Sequence, residues 1–109
     1  MRDHVRGGAL TETTFFILLS AYKPIHGYGI RQFILKETNG RLRLGAGTLY
    51  GAIHTLLEKG WIGSCDTGKS GRKKEYVITD VGRQHAESER KRLVQLYRTA
   101  TRITRCTQA

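Results

Sequence analysis

The sequence is poor in cysteine, proline and acidic residues, and it has no long hydrophobic run. Its 109 residues include only two cysteines, Cys65 and Cys106, and one proline, Pro24. Two cysteines cannot build the disulfide framework of a small secreted domain, which favours a reducing cytoplasm. No apolar run approaches the roughly 18 residues that span a bilayer. We therefore expect a cytoplasmic protein with no membrane partner.

Motifs for catalysis and metal binding are also missing. The carboxylates are few and scattered, so no acid/base pair is evident. Gly45-Ala46-Gly47 begins like a dinucleotide-binding fingerprint, but Tyr50 occupies the position of its third glycine. His26 has no partner at ligand spacing, and the cysteines form no CxxC pair. We expect no enzyme, no metal and no cofactor.

Positive charge is what the chain has in excess. Nineteen lysines and arginines against nine acidic residues give a net charge of +10. So large a charge on a short chain favours a polyanionic partner, and nucleic acid is the first candidate. The length predicts one domain, and a hydrophobic content of 39% suffices for a small core.

Hydrophobic periodicity and capping residues predict three helices in the first 60 residues. The first covers residues 11–22, with Thr11 as its N-cap, and the second ends at Asn39-Gly40. The third runs from about residue 46 to 59, and Gly60 closes it. His26 is expected to fix the turn before the second helix, and Tyr28 to pack rather than contact a ligand.

The third helix has one apolar face and one face of small and polar residues. The apolar stripe contains Leu49, Ile53 and Leu56. A rotation of about 100° per residue places the following on the opposite face or beside it: Gly47, Thr48, Tyr50, Gly51, His54, Thr55 and Glu58. Such a face can approach another surface closely, with only Glu58 opposing an anion.

Two strand-like runs follow the third helix, at residues 61–66 and 75–79. The segment between them contains two glycines and one serine, which predicts a hairpin. Its tip carries four cations: Lys69, Arg72, Lys73 and Lys74. Trp61 is expected to anchor the core beneath the hairpin.

The last segment predicts one long helix from the N-cap Thr79 to about residue 103. At about 1.5 Å per residue it would be near 37 Å long, more than so small a chain can cover. A heptad-like series gives the expected dimerisation seam. Its members, with one flanking tyrosine, are Ala86, Leu93, Leu96, Tyr97, Ala100 and Ile103.

This order of elements predicts a mainly α fold, a winged helix-turn-helix with three helices and a two-stranded β-wing, followed by a long C-terminal dimerisation helix. The expected divisions are a flexible lead at 1–9, a DNA-binding domain at 10–79 and a dimerisation helix with its tail at 80–109. A helix fits the major groove of DNA, and a cationic hairpin can reach neighbouring phosphates.

Four stretches of the sequence resemble the PadR transcriptional regulators. They are the first helix ending before Pro24, His26-Gly27-Tyr28-Gly29-Ile30, residues 40–50 ending in Gly47-Thr48-Leu49-Tyr50, and Tyr76-Val77-Ile78-Thr79-Asp80-Val81-Gly82. The resemblance implies a homodimeric regulator of double-stranded DNA, usually a repressor, of the subgroup with a single C-terminal helix. It also implies that Thr48 and Tyr50 meet the DNA backbone. Many relatives respond to a small-molecule effector, whose site here is unknown.

The sequence departs from the family pattern at the third helix. Relatives often have Ser-Pro where this chain has Gly45-Ala46, and proline where it has Gly51. We therefore expect a looser helix start and carry over no base preference. The complete set of predicted DNA contacts is Arg43, Gly47, Thr48, Tyr50, Gly51, His54, Thr55, Lys69, Arg72, Lys73 and Lys74. The operator should be a near-palindrome. The alternatives are a winged-helix protein-interaction adaptor and a non-specific binder of RNA or anionic surfaces.

Overall fold

The computed structural model describes residues 8–66 and 74–106. Within them the helices are α1 Glu12–Ser20, α2 Gly27–Glu37, α3 Ala46–Lys59 and α4 Asp80–Cys106. The strands are β1 Ile25–His26, β2 Ile62–Asp66 and β3 Lys74–Ile78. The winged helix-turn-helix and the long C-terminal helix are thus confirmed.

Helix α1 begins where its cap predicts and ends two residues early. Thr11 Oγ1 accepts a hydrogen bond from Thr14 N at 3.1 Å, which satisfies one of the free amides at the helix start. At the other end, Ile78 N donates to Ala21 O at 2.8 Å and draws the chain towards the sheet. Ile17 and Leu18 are fully buried and form the base of the core.

The sheet has three strands in the order β1-β3-β2, all antiparallel. The predicted two-stranded wing therefore lacked β1, which pairs Ile25 with Tyr76 and His26 with Glu75. Two residues are too few to show the alternation by which strands are recognised in a sequence. Along β3, Tyr76 and Ile78 are buried on the core side, as the predicted alternation requires.

The turn from α2 to α3 is held by local backbone geometry and by a side chain. Asn39 and Gly40 both have positive φ, 52° and 80°, which confirms the predicted stop of the helix. Arg31 Nε donates to Leu44 O at 3.0 Å, and Leu44 is buried. These contacts fix the segment that leads into α3. At its other end α3 is capped by Gly60, which has a φ of 76° and confirms the predicted stop.

The first half of α4 belongs to the core of the same protomer. Thr79 Oγ1 accepts from Gly82 N at 3.1 Å, which confirms the predicted N-cap. Gly82 lies against Trp61, which is 5% exposed and anchors the core as expected. Ala86 is 2% exposed in this core. Its predicted place in the dimerisation seam is therefore wrong, because its own chain already covers it.

A buried glutamate joins α4 to Leu10, which lies just before α1. Glu89 is 3% exposed and accepts hydrogen bonds from Arg92 Nε at 2.9 Å and from Leu10 N at 3.3 Å. The Arg92 hydrogen bonds lower the pKa of Glu89, against the effect of burial. From Arg90 to Arg105 no residue of α4 is buried by the rest of the described structure, and this part of the helix is called the arm below.

Candidate nucleic-acid interface

The outer face of α3 is open, and its inner face is buried. Leu49, Ile53 and Leu56 are at most 2% exposed and seat the helix on the core. On the other side, a Cβ placed on Gly47 or Gly51 would meet no atom within 4 Å. The absence of side chains at these two positions lets another surface approach the helix backbone closely.

The N-terminus of α3 is exposed and has no side-chain cap. Its N-cap is Gly45, and Leu49 N donates to Gly45 O at 3.0 Å as the first helical bond. The amides before that bond have no partner inside the helix and carry the positive end of the helix dipole. Thr48 is exposed in this turn, and Arg43 is exposed just before it. An anion such as a phosphate suits this site.

Tyr50 lies at the edge of this face and is 48% exposed. The tip of its ring covers Gly27, the first residue of α2, and one side of the ring stays open to solvent. Burial raises the pKa of Tyr76, and the neighbouring Tyr50 adds to the rise. Tyr50 therefore rests against the start of α2, near Tyr76 of β3, while about half of its surface stays exposed.

The polar side chains in the middle of α3 differ in exposure and in the hydrogen-bonding groups that they leave available. His54 is exposed, and its Nε2 lies 3.3 Å from Glu58 Oε2 one turn later. Thr55 is half-buried, and its hydroxyl donates to Gly51 O at 3.1 Å. Thr55 therefore offers only acceptor capacity and its methyl group, while His54 can exchange its contact with Glu58 for one with a base edge.

The predicted cationic tip falls mostly outside the described residues. Lys69, Arg72 and Lys73 lie there, and their contacts stay predictions. Lys74 is exposed at the start of β3, in register with Asp66 at the end of β2. It places one cation at the end of the wing.

Sequence reasoning missed Tyr28, which it expected to pack. Tyr28 is 58% exposed, and its ring stacks on His26 with centroids 6.4 Å apart. Its hydroxyl contacts the amide of Gln32. His26 Nδ1 accepts from Gly29 N at 3.0 Å, which confirms the predicted role of His26 in the turn. Because Gly27 lies next to Tyr28 and under Tyr50, both exposed phenols belong to the surface around the start of α2.

The arm of α4 carries two different faces. The predicted seam residues beyond Glu89 are all exposed: Leu93 38%, Leu96 55%, Tyr97 71%, Ile103 49%, and Ala100. On another side of the helix, a shallow groove of about 580 Å³ is lined by Arg90, Lys91, Arg98, Arg102 and three neutral residues. An apolar face and a cationic face thus run along the same arm.

Two kinds of site are absent from the part of the chain that the structure describes. None of its helices is long and apolar enough to cross a membrane. Residues 8–66 and 74–106 also contain no group of three or more His, Cys, Asp or Glu that could hold a metal ion. Cys65 is half-buried and is not in a disulfide.

Comparisons with known proteins agree with this architecture. The sequence model of the transcriptional regulator PadR-like family matches residues 16–88. A search of curated proteins finds no significant match.

Solved structures with the same fold come from several bacteria. A PadR family transcription regulator from hypervirulent Clostridium difficile R20291 is 20% identical, with a TM-score of 0.71 over 86% of this chain and 99% of that one. A PadR-like transcription factor from Bacteroides fragilis is 25% identical, with a TM-score of 0.67 over 84% and 87%. A PadR-like transcriptional regulator from Bacillus cereus is 17% identical, with a TM-score of 0.69 over 84% and 89%.

Proposed function

This chain belongs to the PadR-like family of transcriptional regulators, and from that premise we propose that it is a homodimeric repressor of a near-palindromic operator. Membership of this family implies regulation through binding to DNA. Repression, the dimer and the symmetry of the operator are the steps that we add. A regulator of transcription works where the DNA is, so we also propose the cytoplasm as its compartment.

The observation that carries the proposal is the open outer face of α3. The major groove of B-DNA is about 12 Å wide and admits one helix. Gly47 and Gly51 have no side chains to cover the α3 backbone on this side, and the side chain of His54 is exposed to solvent. In the proposed complex, the uncapped start of α3 and Tyr50 contact phosphates, while His54 and Thr55 face base edges.

The dimer is supported by the apolar face of the α4 arm. Leu96 and Tyr97 are more than half exposed on the part of α4 that the other described residues leave unburied. Pairing two such arms across a two-fold axis would bury both faces. Two copies of α3 would then enter major grooves about 34 Å apart, or a multiple of that distance, which is why the operator should be a near-palindrome.

A small molecule could relieve repression only by binding the two arrangements of the dimer with different affinity. The resemblance to PadR regulators is what supports this part of the proposal.

The test is a gel-shift titration against random B-DNA, duplex RNA and anionic vesicles at two salt concentrations. A repressor prefers duplex DNA, and selection from a random pool should return a sequence with two-fold symmetry. An adaptor would bind none of the three probes at moderate salt. A general polyanion binder would bind all three without preference, and either result would refute the proposal.

Two variants separate phosphate contact from base reading. Lys74→Ala should weaken binding to every duplex alike and reduce the slope of log affinity against log salt by about 1 for each protomer that contacts DNA. His54→Ala should instead change which sequences are selected. If the two variants reduce specific and random binding by the same factor, these roles are wrong.

A further inference from the structure

Glycine at position 27 is not required by the backbone. Gly27 is the first residue of α2 and does not have a positive φ. Alanine is the better helix former, so helix propensity alone would favour a side chain here. The space around Gly27 must therefore explain why a glycine fits.

That space is occupied by the end of the Tyr50 side chain. A Cβ placed on Gly27 would lie 2.3 Å from Tyr50 Oη and 2.7 Å from both Cε1 and Cζ. Carbon atoms make contact at about 3.5–4.0 Å, so a methyl group and the phenol cannot share this place. The atoms that would clash belong to the tip of a long side chain, so the ring can move while the fold stays intact.

The backbone of Gly27, against which the Tyr50 ring lies, is held in place on both sides. His26 caps α2 through its bond from Gly29 N at 3.0 Å, and it also pairs with Glu75 of β3. Gly27 follows directly, so its backbone is fixed by a strand on one side and a helix cap on the other. A contact on Gly27 thus fixes the position of a side chain that extends from another helix.

We propose that Gly27 is a positioning residue for DNA binding: its bare Cα forms the seat on which Tyr50 rests with its hydroxyl directed to a phosphate. The inference depends on the proposed function, because it assigns Tyr50 a phosphate contact. A side chain at position 27 displaces the phenol and removes that contact. Since phosphates carry no sequence information, the loss affects every duplex equally.

The experiment combines a double-mutant cycle with a structural readout. Gly27→Ala should weaken duplex binding about ten-fold for each protomer that contacts DNA, the lower end of the effect of one hydrogen bond to a charged group. In a Tyr50→Ala background the same change should have no further effect, because the residue through which it acts is gone. In the free wild-type protein, an NMR cross-peak should connect the Gly27 α-protons with the Tyr50 ring protons. In Gly27→Ala, the cross-peak between the α-proton of residue 27 and the Tyr50 ring should be absent.

Gly29→Ala is the matched control. It makes the same change in the same turn, but the three atoms nearest to its Cβ would belong to Ile25 and His26, with Ile25 Cγ1 at 2.8 Å. It should leave the Tyr50 ring resonances and the Tyr50 share of DNA affinity unchanged. Thermal melting of all variants shows whether each one is folded.

The possible failures are distinguishable. The positioning role of Gly27 is wrong if Gly27→Ala reduces DNA affinity by the same factor in the wild-type and Tyr50→Ala backgrounds. It is also wrong if Tyr50→Ala weakens DNA binding and Gly27→Ala does not. A missing cross-peak in the wild type would overturn it as well, without reference to DNA. If Tyr50→Ala binds like the wild type, this inference is wrong and the proposed regulator still stands. If the wild type binds no duplex, the proposed function itself is wrong, and the phosphate-positioning role falls with it.

Discussion

Replacing Gly45-Ala46 with Ser-Pro should stabilise the fold. Gly45 has φ −70° and ψ 160°, the extended conformation that a following proline requires. A Cβ at position 45 meets no atom within 4 Å, so serine fits. Ala46 is the first residue of α3, where the amide has no partner within the helix and proline is accepted.

The size of the gain follows from three contributions. A serine cap is better than glycine by a few tenths of a kcal/mol. Replacing a glycine, and introducing a proline where the backbone already suits it, each contribute roughly 0.4–1 kcal/mol by restricting the unfolded chain. The sum is about 1–2 kcal/mol, and for a domain of this size each kcal/mol raises Tm by roughly 4–8 °C.

Urea unfolding followed by circular dichroism would measure the gain. All variants must be compared at one protein concentration, because an oligomer is stabilised by mass action. Gly47→Ser is the matched control: it makes the same change two residues later, also in open space, where serine cannot act as the N-cap. A double variant no more stable than the wild type would show that α3 does not begin at Ala46, and the account of its N-terminus would be wrong.

Three further predictions concern α4. Leu93→Lys with Leu96→Lys should convert the proposed dimer to a monomer, because lysine cannot be buried unpaired in an apolar seam. An unchanged sedimentation coefficient would show that the seam lies elsewhere. Glu89→Gln should lower the free energy of unfolding by about 2 kcal/mol, within the range for hydrogen bonds to a charged group. Glu87→Gln, in the solvent-exposed pair with Arg90, should leave it nearly unchanged. Because the pKa of Glu89 is lowered in the folded protein, its contribution to the free energy of unfolding is complete above the unfolded pKa near about 4.3. That contribution is lost as the pH falls through the folded pKa. Acidification should therefore reduce the stability of Glu89→Gln less than that of the wild type. Gly82→Ala should lower the free energy of unfolding by about 1–3 kcal/mol, since its Cβ would lie 2.0 Å from the carbonyl oxygen of Trp61. A thermal melt like that of the wild type would contradict the close packing of α4 on Trp61.

Local signals were sufficient to predict most of the fold. The caps Thr11, His26 and Thr79, and the stops at Asn39-Gly40 and Gly60, act within one helical turn of their own position. Their effect can therefore be read from neighbouring residues. The same holds for α3, whose buried stripe repeats every three or four residues.

Features that depend on distant residues could not be predicted in the same way. Strand β1 forms because Ile25 pairs with Tyr76 of β3, which is distant in the sequence. The heptad spacing placed Ala86 on the same face as Leu93, but spacing does not tell whether the same protomer or its partner covers that face. The contact of Tyr50 with Gly27 is of this kind too, and only the packing of α3 against the start of α2 reveals it.

Dissolved salt should act in opposite directions on the two proposed interfaces. Residues 90–106 contain six arginines and lysines and no acidic residue. Two such arms repel each other across a two-fold axis, and at 0.1 M salt the screening length is only about 10 Å, so added ions favour assembly. The same ions lower the affinity for DNA, because binding to phosphates releases counterions. Occupancy of the operator should therefore rise and then fall as ionic strength increases, with its maximum where the two effects balance.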